Sequence, residues 1–138
     1  VIPGERLEFA YRHSAVKREG WIVLAACFEL SAGEPEVIRR RMEELAERRR
    51  QRQPLESPSA GSAFKRPAGG FAAQLIDEAG LKGFRIGGAQ VSGKHAGFVI
   101  NCGGATAADV RQLYAAIQER VRACTGISLE PEVEVIGE

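Results

Sequence analysis

The chain has 138 residues, 44% hydrophobic and 27% charged, enough for one domain with a substantial core. Its net charge of +1 creates no global field to recruit nucleic acid or an anionic membrane. No run reaches the roughly 18–20 apolar residues of a membrane span. Cys27, Cys102 and Cys124 form no C-x-x-C and sit among apolar or small residues. They read as buried free thiols of a reducing cytoplasm, not disulfides or zinc ligands, and no metal site is expected. Val1-Ile2-Pro3-Gly4 has neither the basic nor the apolar region of a signal peptide. Without an initiator Met, the expectation is a fragment or a processed piece.

In chain order, Leu7, Phe9 and Tyr11 alternate weakly and predict a short strand or extended arm, running into a loop at Arg12–Ser14. Trp21–Leu30 is an almost unbroken apolar run with a β-branched start, which predicts a strand covered on both faces. Gly33-Glu34-Pro35 opens a helix, with Pro35 suited to its first position. Val37, Ile38, Met42, Leu45 and Ala46 fall on one face of it. Arginines at 39–41, 48–50 and 52 are weighted towards its C-terminus, where cations suit the dipole. Pro54 stops it, and residues 53–58 form a loop. Phe71, Ala72, Leu75, Ile76 and Ala79 predict a second helix, ended by Gly80. Residues 85–91 and 97–101 read as strands joined by a turn at Ser92-Gly93-Lys94. After Gly103-Gly104, the T-x-x-D capping box of Thr106 and Asp109 opens the strongest helix. Val110, Leu113, Tyr114, Ile117, Val121 and Cys124 recur along it at three- and four-residue steps, and Gly126 ends it. Glu132–Ile136 alternates and predicts a last strand. The fold class is α+β: a small, mainly antiparallel sheet with helices packed on one face, preceded by a strand or arm.

The chemistry concentrates between Pro58 and Asn101. Gly61 and Ala63 leave the hydroxyl of Ser62 room to approach a ligand, and Lys65 and Arg66 suit anionic oxygens. On residue type alone, a serine in such a loop is a turn residue, and a glutamate at 132 in an alternating strand is a solvated face. Gly87-Gly88 is not G-x-G-x-x-G and does not join a strand to a helix, so close strand packing or a bulge accounts for it better than a phosphate loop. The arginine-rich helix could suggest RNA. However, Glu43, Glu44 and Glu47 are interleaved and no aromatic residues accompany the cations, which favours a solvated face with internal ion pairs.

Gly61-Ser62-Ala63-Phe64-Lys65-Arg66-Pro67, Gly87-Gly88-Ala89-Gln90-Val91-Ser92 and Lys94-His95-Ala96-Gly97-Phe98 together resemble the bacterial UDP-N-acetylenolpyruvoylglucosamine reductase family. Tyr11-Arg12-His13-Ser14 and Leu129-Glu130-Pro131-Glu132-Val133 extend the likeness over almost the whole chain. Family enzymes are roughly twice this long. The resemblance implies a bacterial cytoplasmic flavoenzyme of peptidoglycan synthesis, hence of cell-wall biogenesis, cell shape and division. That enzyme uses NADPH and FAD to reduce UDP-N-acetylglucosamine enolpyruvate to UDP-N-acetylmuramate. It implies that residues 1–32 are the tail of a flavin-binding domain and 33–138 the C-terminal substrate-binding domain, with most FAD contacts upstream. A missing N-terminal flavin-binding portion is then the partner, and the chain alone is expected to be colourless and inactive.

By the same resemblance Ser62 is the proton donor, Arg12 faces the charge developing on the substrate carboxylate, and Glu132 helps stabilise the intermediate. Glu132 is preferred to Glu130 by its place in the Glu-Val pair. For this role Glu132 must be partly desolvated. Lys65, Arg66, Lys94 and His95 are the substrate-binding set for diphosphate, sugar or enolpyruvate. His13 stands where the family commonly has Asp or another small polar residue. Residues 21–57 leave no room for the inserted loop of the longer family type, so the resemblance is to the shorter type. The rival expectation is a non-catalytic module binding a UDP-sugar or RNA.

Overall fold

The computed structural model describes residues 1–137 and divides into two compact units, Val1–Pro35 and Glu36 onward. In the first, a 3₁₀ turn at Gly4–Leu7 precedes a short helix, α1 (Ala15–Arg18). Between them Ala10 and His13 exchange both backbone hydrogen bonds at 3.1 Å, so Tyr11 and Arg12 form the tip of a tight turn. Arg18 grips the carboxylate of Glu8 with two side-chain bonds.

Neither the short strand or extended arm expected around Leu7–Tyr11 nor the strand expected over Trp21–Leu30 is present as a strand. Leu7–Tyr11 is taken up by the 3₁₀ turn and the tight turn. Trp21–Leu30 has no regular structure, and Ile22 (85% exposed), Leu24 (93%) and Phe28 (78%) stand in solvent. The physical reason is pairing. A strand is stable only when its N–H and C=O groups find a ladder, and among the described residues this run pairs with none.

Helix α2 (Pro35–Arg52) forms as read, but buries no residue. Its i,i+3 ion pairs Arg39–Glu36, Arg41–Glu44 and Arg50–Glu47 lie on its own surface. Ile38, Met42 and Leu45 remain exposed.

The second unit is built on a four-stranded antiparallel sheet in the order β1-β4-β3-β2. Its strands are β1 (Ser59–Ser62), β2 (Arg85–Ile86), β3 (Ala89–Val91) and β4 (Phe98–Asn101). Two helices accompany it, α3 (Ala72–Glu78) and α4 (Ala107–Thr125). Leu113, Ile117 and Val121 of α4 are completely buried. At four-residue steps they form one stripe against Ile76 of α3, Ala89 and Val91 of β3, and Leu81. Each such side chain contributes roughly 1.5–3 kcal/mol by leaving water. Both halves of the Thr106–Asp109 capping box are made, and Gly126 caps the far end in a left-handed conformation. The α+β architecture is therefore the expected one.

Four details differ from the sequence reading. Residues 85–91 are not one strand: Ile86 pairs with Ala89, so Gly87-Gly88 is the two-residue turn of a hairpin, with Gly87 at a φ of 53°. Ser59–Ser62, which follows the loop read at 53–58 and for which no strand is expected, is an edge strand. Glu132–Ile136 is not a strand. Pro131 makes one bridge with Phe64, but its missing N–H limits a ladder, and Val135 and Ile136 are exposed. The three cysteines are free but exposed. Cys27 lies in the unpaired run, Cys102 follows β4, and Cys124 falls off the buried stripe of α4.

Candidate active site

Ser62 is the last residue of β1 and is exposed. Its position comes from a bulge. Between the pairs Ser59↔Ile100 and Ser62↔Phe98, β1 advances three residues while β4 advances two. The extra residue is absorbed at Ala60-Gly61, where Gly61 has a φ of 88°, a conformation open to glycine. Bulges re-aim the side chains beside them. Ala63 and Phe64 then bury at once, so a mobile-looking Gly-Ser pair is anchored on its C-terminal side.

Two other segments meet at Ala63. Its N–H donates to the carbonyl of Gly97 at 2.8 Å, and its own carbonyl accepts from the N–H of Glu132 at 3.0 Å. One residue further on, the N–H of Lys65 donates to the Glu130 carbonyl at 2.8 Å. Ser62, the loop before β4 and Glu132 are thus neighbours through backbone bonds. Glu132 is half-buried and its Oε2 is shut off from solvent, as partial desolvation of this carboxyl requires. Glu130 is different: exposed, and ion-paired with the ammonium of Lys65. An exposed pair of this kind is worth little on its own, but it occupies Lys65.

The remaining cations are also engaged. The Arg66 guanidinium lies 4.1 Å over the ring of Phe71, and its Nε donates to the Gly70 carbonyl at 3.3 Å. Lys94 reaches the Glu56 carboxylate at 3.4 Å. The Glu56 carboxyl is held below its usual range, first by its own backbone N–H and then by Lys94. His95 is half-buried, and its Nδ1 accepts the N–H of Gly97 at 3.1 Å. Residue-by-residue reading missed Ser92, which is fully buried and whose Oγ accepts the N–H groups of Lys94 (3.2 Å) and His95 (3.3 Å). A Ser followed by a tight polar turn is the local signal that could have found it.

Arg12 belongs to the first unit. Its backbone is left-handed, with a φ of 56°, uncommon for any residue but glycine and a form of stored strain. Its Nε donates to the hydroxyl of Tyr11 at 3.2 Å.

Neither Gly87-Gly88 nor the N-terminus of α4 forms a cradle for a dinucleotide. A Cβ at Gly88 would collide with the backbone of Ala105 and lie 2.8 Å from the Gly103 carbonyl, so that glycine makes room for the protein itself and not for a pyrophosphate. The N-terminus of α4 is closed by the Asp109 carboxylate, which accepts the Thr106 N–H at 2.9 Å and would repel an anion. Among the described residues no group of three or more His, Cys, Asp or Glu could hold a metal ion. No helix among them is long and apolar enough to cross a membrane.

Fold and site together define an α+β domain whose polar chemistry gathers at one bulged strand end. The model of the UDP-N-acetylenolpyruvoylglucosamine reductase C-terminal domain matches residues 53–136. The chain is 54% identical over its full 138 residues to the UDP-N-acetylenolpyruvoylglucosamine reductase of Clostridium beijerinckii, of which it covers 45%. It is 52% identical to that of Streptococcus pneumoniae, covering 46%. The crystal structure of UDP-N-acetylenolpyruvylglucosamine reductase from Thermus caldophilus superimposes on 95% of the chain with a TM-score of 0.75 at 40% identity, over 47% of its own length. The chain belongs to the UDP-N-acetylenolpyruvoylglucosamine reductase family, over its C-terminal domain. It spans about half the length of the curated relatives it matches.

Proposed function

We propose that this chain is the substrate side of a full-length enzyme that reduces UDP-N-acetylglucosamine enolpyruvate to UDP-N-acetylmuramate for peptidoglycan synthesis in the bacterial cytoplasm. Family membership and the relatives, which are reductases by name, favour this over a binding module without chemistry. The observation that carries the reading is the exposed Ser62 hydroxyl at the bulged end of β1, one residue from the backbone bond to Glu132.

Reducing the enolpyruvyl double bond adds a hydride to one carbon and a proton to the other. FAD and NADPH supply the hydride and belong to the part of the protein outside this chain, with residues 1–32 the tail of that flavin-binding portion. Ser62 supplies the proton. A hydroxyl is a weak acid, so its neighbours must stabilise the charge that builds up as the proton moves. Glu132, with one oxygen out of solvent, is assigned to the intermediate, where its carboxyl acts in the protonated form as a hydrogen-bond donor. Arg12 is assigned to the substrate carboxylate, for which a planar, permanently charged fork is suited. Arg66, Lys94 and His95 are assigned to the anionic and polar parts of the UDP-sugar. Lys65 reaches a ligand only by leaving Glu130. Residues 33–138 act as the substrate domain, and the chain alone is inactive.

The test is Ser62→Ala in the full-length protein, read by stopped-flow flavin absorbance. Flavin reduction by NADPH should stay nearly intact. Reoxidation by the enolpyruvyl substrate should slow by the ~10²–10⁴-fold typical of a lost general acid. No slowing of that half returns Ser62 to the status of a turn residue. Equal slowing of both halves indicates a damaged protein.

A further inference from the structure

The loop Ser92–Phe98 is closed by more bonds than a hairpin connection needs. The N–H of Ser92 donates to the Phe98 carbonyl at 2.9 Å, and the N–H of Phe98 to the His95 carbonyl at 3.0 Å. Inside it, the buried Ser92 hydroxyl accepts two backbone N–H groups, which turns the chain so that the imidazole of His95 folds back over Gly97. There Nδ1 accepts the Gly97 N–H at 3.1 Å. A ring nitrogen that accepts a hydrogen bond carries no proton, so Nδ1 of His95 stands here as an acceptor and not as a donor. The fit is close: a Cβ at position 97 would stand 3.0 Å from Cε1 of His95 and 3.1 Å from the Cβ of Ala73 on α3. The ring also meets Phe98 edge-on, with centroids 4.9 Å apart.

Gly97 and Phe98 are the residues that hold the Ser62 segment. The Gly97 carbonyl takes the Ala63 N–H at 2.8 Å, and Phe98 is the register partner of Ser62. We propose that His95 is a positioning residue for Ser62: through Nδ1 it holds the backbone N–H of Gly97, and the carbonyl on the other side of the Gly97 Cα holds the peptide that follows the serine. This rests on the reading of Ser62 as proton donor. It gives His95 work that a simple anion ligand would not have.

The test uses the full-length protein. Long-range proton–nitrogen NMR on histidine-labelled enzyme should show Nδ1 of His95 without a proton and Nε2 with one. Two variants separate the roles. H95F keeps a ring against Phe98 and removes the acceptor. H95N restores an oxygen that can take the N–H two residues on, as asparagine does in an Asx-turn. H95F should speed hydrogen exchange of the Gly97 amide by about five- to tenfold, the loss of one ordinary hydrogen bond. It should also slow flavin reoxidation by the substrate more than flavin reduction. H95N should recover most of both effects. A proton on Nδ1 overturns the proposal and needs no variant, so a poorly folding H95F does not shield it. So does a pair of variants that raise KM alike and leave Gly97 exchange unchanged. If Ser62→Ala leaves the substrate half-reaction untouched, the serine's role alone falls, while the tautomer and exchange results still decide the hold on Gly97.

Discussion

Asp109 ties the start of α4 to the turn between β2 and β3 with one side chain. Its Oδ2 accepts the Thr106 N–H at 2.9 Å and the Gly88 N–H at 3.3 Å, and its own N–H donates to the Thr106 hydroxyl at 3.1 Å. The Thr106 half was legible in the sequence because a capping box is local, spanning only Thr106 to Asp109. The Gly88 half was not: it crosses 21 residues and leaves no periodic trace. These donors, first Thr106 and then Gly88, hold the carboxyl below its ordinary 3.8. A carboxyl depressed in the folded state contributes stability that is present above the unfolded value and lost as pH falls through the folded one. Asp109→Asn, with no charge to lose, should therefore show a shallower fall in Tm than the parent as pH drops below about 4. Parallel Tm curves for the two proteins between pH 6 and pH 2 would contradict this. Ser62 shows the opposite balance at the same scale. Its residue type was legible, but the bulge that aims it depends on β4, some 36 residues away (98 − 62).

Among the elements, those with a strong internal period were readable and those defined by a partner were not. The stripe Leu113, Ile117, Val121 announces α4 before any tertiary contact is known. The β2–β3 hairpin instead depends on what its turn packs against. Gly87-Gly88 is a sound hairpin signal, yet 85–91 reads as one strand when the two glycines are taken as close packing or a bulge within it. Two consequences separate the glycines. Gly87 needs its positive φ, and a Cβ there would collide with the Asp109 carboxylate, so substitution both strains the turn and removes a tie to α4. Gly88 is blocked by backbone, that of Ala105 and Gly103, which cannot swing aside as a side chain can. Gly88→Ala should thus destabilise the domain by about 1–3 kcal/mol, the usual range for overpacking. A urea titration should show a lower midpoint with an unchanged slope. An unaltered midpoint would mean that the α4 entry shifts freely, and that its contact with the hairpin holds nothing in place.

At the scale of the whole molecule the informative failure is Trp21–Leu30. Composition and length read as a covered strand, yet in this structure the run is unpaired and Ile22, Val23, Leu24, Phe28 and Leu30 are exposed. Exposed apolar runs of this size mark interaction surfaces, and curated relatives carry more than half of their length outside the region matched here. Covering five such side chains is the kind of contribution, roughly 1.5–3 kcal/mol each, that a neighbouring domain makes. In the full-length protein the amides of 21–30 should therefore exchange slowly, as members of a ladder, whereas in the present chain they should exchange at nearly the rate of unstructured peptide. A substitution sharpens the comparison. Leu24→Asp should cost the full-length protein about 2–5 kcal/mol, as a buried leucine lost from a core does. In this chain alone it should move stability by no more than about 0.5 kcal/mol, as at an exposed site. Hydrogen exchange and urea unfolding of both lengths decide it. Fast exchange of 21–30 in the full-length protein, or an equal effect of Leu24→Asp on both, would show that the run is exposed by nature and that its strand-like sequence has another cause.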